Sequence, residues 1–161
     1  MDTAEQAELL GKLFLAALCG GIIGWQRDRR QYVAGLRTMA LVAIGATLFT
    51  GVNETFGDDR VVANIVTGIG FLGAGIIFCE GATVRGITTA ATIWAVAAIG
   101  VAIGIELYLV ALVATPLVFL ILEMHPLSEY LSGRRPQLPL PAFFRRSGEP
   151  EEAATLDQDE G

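Results

Sequence analysis

Charge is scarce in this chain. Of its 161 residues only 17% are charged, while 53% are hydrophobic. Four stretches, 38–53, 61–79, 86–105 and 107–122, hold no charge at all. The single histidine, His125, stands beside Pro126 with no nucleophile near it, so it offers no acid–base dyad. Two cysteines, Cys19 and Cys79, lack any Cys-x-x-Cys spacing, which argues against zinc. Both lie in or at the ends of apolar runs and read as small membrane-buried thiols. No Walker motif is present, so the chain is not an ATPase by itself. No catalytic residue, cofactor-binding residue or metal-ligand set is assigned, and no nucleic-acid partner is expected.

Long apolar runs are what the chain has in their place. A spanning helix needs ~20 mostly apolar residues. Borrowing flanking residues where a run is short gives five spans, about 9–26, 36–53, 61–79, 87–105 and 107–124. A soluble helical protein would need polar faces to cover such helices, and none remain. The expected fold is therefore all-α: a polytopic membrane bundle of about five transmembrane helices with glycine-rich packing faces. Leu15–Cys19 faintly resembles a lipoprotein cleavage site, but Leu18 is bulky and the residues before it are acidic. The first span is expected to be retained.

The loop charges give an orientation. The N-terminus carries Asp2, Glu5 and Glu8 with no base before Lys12; the first loop carries Arg27, Arg29, Arg30 and Arg37. The second loop is mainly acidic, and Arg134, Arg135, Arg145 and Arg146 follow the last span. Basic loops belong on the cytoplasmic side. Five spans then put the N-terminus outside and the C-terminus in the cytoplasm. The net charge of −6 comes wholly from the acidic segment 149–161. Residues 1–125 read as the transmembrane domain. Residues 126–161 read as a tail, Pro- and Arg-containing and then acidic, with the composition of a disordered segment.

Glycines recur at helix-packing spacings. Gly20 and Gly24, and Gly100 and Gly104, form Gly-x-x-x-Gly pairs; Gly68, Gly70, Gly73 and Gly75 crowd the third span. Gly68-x-Gly70-x-x-Gly73 matches a dinucleotide fingerprint, but it sits in an uncharged membrane run without the strand and turn that motif requires. Close helix approach, in a tight bundle or a homo-oligomer, is the reading for all eight. Trp94 is expected to be a packing residue, and Pro116 to kink the fifth span.

Glu80 to Gly86 links spans three and four as a short loop. Arg37, Glu80 and Arg85 are candidates for a polar cluster at the cytoplasmic mouth of the bundle. Thr88, Thr89 and Thr92 open span four; one of the first two is expected to cap it, and Thr92 to hydrogen-bond a neighbouring helix. A hard divalent cation seeks oxygen ligands, often carboxylates. Glu80, Glu106 and Glu123 all lie near span ends and none is central. A path of carbonyls or hydroxyls stays open.

The segments Ala34-Gly-Leu-Arg37-Thr, Gly68-Ile-Gly-Phe-Leu-Gly-Ala-Gly75, Glu80-Gly and Val84-Arg-Gly-Ile-Thr-Thr-Ala-Ala-Thr-Ile-Trp94 resemble the MgtC/SapB family of bacterial inner-membrane proteins. The resemblance covers about residues 9–123. It implies a multi-pass protein of the bacterial inner membrane, linked to growth in low magnesium and, in pathogens, to survival in macrophages. It implies a regulator or ion-homeostasis factor acting on other membrane proteins, the F-type ATP synthase among them. Many members are labelled Mg²⁺ transport proteins, so a transporter or channel for Mg²⁺ or another small solute, working as an oligomer, is the alternative. Arg37, Glu80, Arg85 and the run Thr88–Thr92 match the family's functional positions. Gln26 stands where the family usually has Glu, with Asp28 a candidate substitute, and Thr88 is Asn in some members. Many members also carry a C-terminal soluble domain, for which the residues after the last span are too few.

Overall fold

The structure is a computed structural model that describes residues 2–56, 60–80 and 83–124, with the backbone alone at 54–56, 79, 80 and 83. The tail beyond residue 124, His125 included, lies outside the described residues. Among the described residues five helices follow one another: α1 (Thr3–Arg29), α2 (Leu36–Phe56), α3 (Arg60–Ile76), α4 (Ile87–Gly104) and α5 (Tyr108–Glu123). Three of them, α1, α2 and α4, are long and apolar enough to cross a membrane; α3 and α5 are shorter apolar helices. The chain is an all-α membrane bundle, and each expected span falls on one helix.

Helix ends differ from the apolar runs for local reasons. The first helix begins at Thr3 because Asp2 caps it. The Asp2 carboxylate accepts the Ala4 and Glu5 amides at 2.9 Å, and the Glu5 side chain accepts the Asp2 amide in return. The third helix stops at Ile76 rather than 79. Residues Phe78–Glu80 (β1) and Thr83–Arg85 (β2) pair as a small antiparallel hairpin, with Cys79 opposite Val84. The chain thus takes a hairpin where a plain loop is expected. The N-cap of α4 is Gly86, at φ 92° and without a side-chain cap. That corrects the expected threonine cap. Positive φ there is open to glycine alone at little cost, and a side chain would also collide with the Ile76 carbonyl.

The fourth helix is the centre of the bundle. It packs on α1, α2, α3 and α5, and it buries Ile93, Val96, Ile99 and Ile103 against Ala16, Cys19, Ile23, Met39 and Ala43. Glycines permit this closeness. A Cβ on Gly20 would stand 2.6 Å from the Met39 carbonyl oxygen, and one on Gly24 2.5 Å from Leu36 Cα. On α4 the same holds for Gly100 against the Ala43 carbonyl (2.5 Å) and Gly104 against Thr50 (2.6 Å). The Thr47 hydroxyl donates to the Gly100 carbonyl at 2.8 Å, tying α2 to α4 across the seam. Gly73 merely touches Ala90, at 3.5 Å. Gly68, Gly70 and Gly75 differ: a Cβ there meets no atom within 4 Å, so within one protomer they are not packing positions. Trp94 is likewise not a core residue, being 53% exposed beside α3.

Candidate functional site: a buried guanidinium at one end of the bundle

The C-terminal end of α1, the N-terminal ends of α2 and α4 and the C-terminal end of α5 meet at one end of the bundle. Arg27 is in their midst. It lies one turn beyond Gly24 on the face that carries Gly20, so the same close approach that packs α1 on α2 draws its side chain inward. Its relative exposure is 0%. Nε donates to the Ala34 carbonyl at 3.0 Å, one terminal nitrogen to Thr92 Oγ1 at 3.2 Å and the other to Thr89 Oγ1 at 2.6 Å. The Tyr32 ring lies 4.3 Å from the guanidinium carbon. A planar fork with donors in fixed directions is what lets one side chain hold a loop carbonyl and two hydroxyls of another helix together. The Thr92 hydroxyl donates its own hydrogen bond to the Thr88 carbonyl at 2.6 Å, which leaves its lone pairs for the arginine.

A second link stands beside it. Buried Gln26 donates to Glu123 Oε2 at 3.1 Å, and Arg30 pairs with the other oxygen at 2.6 Å. Together they fasten the end of α1 to the end of α5. The Gln26 side-chain amide oxygen, Oε1, is buried and lacks a protein partner among the described residues. Asp28 caps α2 from outside the helix, its carboxylate accepting the Leu36 amide at 3.0 Å. Gly35 must be glycine for this, since a Cβ would fall on the Asp28 carboxylate.

The residues singled out from sequence fall in three places. Thr89 and Thr92 are buried and joined through Arg27, while Thr88 is exposed and contributes its carbonyl. Arg37 is exposed at the start of α2 and Arg85 is exposed on β2. Glu80 closes β1 opposite Thr83; its side chain lies outside the described residues. Sequence reasoning missed Arg27, which it counted only as a loop charge. The signal was its spacing of four and three residues from Gly20 through Gly24, the period of the α1 packing face.

The opposite end of the bundle holds its own ionic group. Lys12 is buried on α1 and reaches Glu106 at 2.9 Å and Glu8 at 3.3 Å. Glu106 occupies the turn between α4 and α5 at φ 64°. Its carboxyl lies below the usual range, first because Lys12 donates a hydrogen bond to it and then through that ammonium's charge. Lys12 and Arg27 are ~22 Å apart along α1 by helical rise. Charged side chains thus occur at both ends of an apolar slab and leave its middle uncharged.

The family model for the MgtC family matches residues 13–130. Protein MgtC of Brucella abortus (strain 2308) is 54% identical over 104 residues, 62% of this chain and 44% of the relative. Protein MgtC of Salmonella typhimurium (strain LT2) is 47% identical over 133 residues, 81% of this chain and 56% of the relative. The chain therefore spans about half the length of the curated relatives it matches. No solved structure matches the chain significantly. With the family model matching residues 13–130, well over half of the chain, the chain belongs to the MgtC family.

Proposed function

We propose that this chain is an inner-membrane factor for adaptation to low magnesium and for ion homeostasis, working by binding other membrane proteins rather than by carrying the ion. The observation that carries this reading is Arg27. A fully buried positive charge within the bundle, close to one end, repels a divalent cation moving through a single protomer. Its donors go to Ala34, Thr89 and Thr92, which makes it a brace between helices.

In this reading the arginine-rich end faces the cytoplasm, following the bias of basic loops, and the N-terminus lies outside. Exposed Arg37 and Arg85 are then available to a partner at that face. The F-type ATP synthase is a candidate partner on the family resemblance. Two measurements test the proposal. Liposomes holding only this protein should show no Mg²⁺ flux above empty vesicles; robust Mg²⁺-selective flux abolished by Glu80→Gln would overturn it in favour of an oligomeric transporter. In cells, Arg37→Ala and Glu80→Ala should each impair growth in low Mg²⁺ while the protein stays in the membrane at normal amount. Normal growth of both would exclude Arg37 and Glu80 from the proposed partner-binding face.

A further inference from the structure

The outer face of α1 is a stripe matched to a bilayer. Leu10, Phe14, Leu18, Ile22, Trp25 and Arg29 follow one another at spacings of four, four, four, three and four residues, and all six are exposed. Such spacing keeps them on one side of the helix. Phe14 is 78% exposed, while Ala16, Cys19 and Ile23 are buried against the bundle. The polar residues that bracket the apolar stretch, Gln6 and Arg29, are ~35 Å apart by helical rise. A hydrocarbon layer ~30 Å thick fits between them. Bulky side chains form the stripe, not the small residues that let a second helix approach closely, so acyl chains cover it.

One end of the stripe carries charge as well. The Arg29 guanidinium carbon lies 4.6 Å from the centroid of the half-exposed Trp25 ring. An indole at the edge of the hydrocarbon sits at headgroup depth, and Arg29 stands one turn further out. Stacking on the ring face fixes the guanidinium plane and leaves its N–H edges free to bind two oxygens of one group. The carboxylates at this end are already engaged: Asp28 accepts the Leu36 amide, and Glu123 is held by Gln26 and Arg30. Among the described residues no carboxylate forms an ion pair with Arg29. Its complement is an anion with paired oxygens at headgroup depth and an apolar chain to lie on the stripe. A zwitterionic headgroup would bring its own ammonium to this arginine-rich surface, so net negative charge is favoured.

We infer that the C-terminal end of α1 binds an anionic phospholipid. The lipid phosphate accepts from Arg29, the glycerol region lies against Trp25, and an acyl chain follows Ile22, Leu18 and Phe14. This holds whichever side of the membrane that end faces, and whether the protein regulates or conducts.

Trp25 is itself the reporter, since Trp94→Phe removes the other of the chain's two tryptophans. The protein is reconstituted in brominated phosphatidylcholine, which quenches indole fluorescence on contact, and unbrominated lipids are then mixed in. Phosphatidylglycerol should relieve the quenching about fivefold more effectively than unbrominated phosphatidylcholine. Arg29→Gln should bring that ratio close to one. Arg85→Gln, which removes the same charge from β2, should leave the ratio unchanged. Equal competition by the two lipids in the parent would overturn the inference, as would an undiminished preference in Arg29→Gln. So would an equal loss in Arg85→Gln, which diffuse surface charge would produce. A Trp25 that brominated lipid fails to quench would also overturn it, because protein would then cover the stripe.

Discussion

Arg27 shows how a residue legible as a loop charge becomes a core residue. Its type and position were open to reading, but its burial depends on how closely α1 approaches α2 and α4. Arg27→Ala should lower stability by about 2–4 kcal/mol, since it leaves a cavity and strands the Ala34 carbonyl. Arg27→Lys should recover only part of this, because an ammonium cannot span both threonines as a fork does. Unfolding in detergent measures both; equal stability of Arg27→Ala and the parent would sink the brace. The glycines make a second residue-scale contrast. Gly24→Ala should cost about 1–3 kcal/mol by overpacking against Leu36. Gly70→Ala should be neutral or stabilise by up to about 1 kcal/mol, since it meets open space. A loss for both would mean that Gly70 packs against something in the detergent-solubilised protein. Sequence spacing identified all eight candidate glycines alike. Only the positions of neighbouring helices divide them into packed and open.

At the scale of elements, helix existence was legible and helix ends were less so. Hydrophobic runs of membrane length leave little choice of conformation in lipid, where every backbone group must be paired internally. Ends are decided by single side chains. Asp2 with Glu5 extends α1 outward, and Gly86 sets the start of α4 through its positive φ. The β1–β2 hairpin escaped notice because three-residue strands carry almost no periodic signal. The turn between α4 and α5 is fastened by an ion pair, and its pH dependence follows from Glu106. The carboxyl is held below its usual range in the fold, so the pair contributes stability above the ordinary carboxylate value of about 4.3. That contribution is lost as pH falls through the lower folded value. The melting temperature should therefore drop on acidification below about pH 4, and Glu106→Gln should reduce that drop. An unchanged acid profile in the variant would show that other carboxylates control it.

For the whole molecule, the sequence by itself determined the class: five apolar runs separated by charged loops admit a membrane bundle and little else. It also determined where charge sits, because loops of a membrane protein must hold what the spans exclude. The family motifs were legible as well, since they lie within the spans and turns that define the fold. The tertiary structure decided which helix is central, that Arg27 joins Thr89 and Thr92, and that Lys12 reaches Glu106 across 94 residues of chain. It also decided that Gly68, Gly70 and Gly75 of α3 remain open. The physical reason is the same in each case. Insertion into lipid is governed by composition along a segment, which a sequence displays directly. Packing between helices without a hydrophobic drive depends on angstrom-scale approach and on which polar groups find partners, and those are set only when distant segments meet.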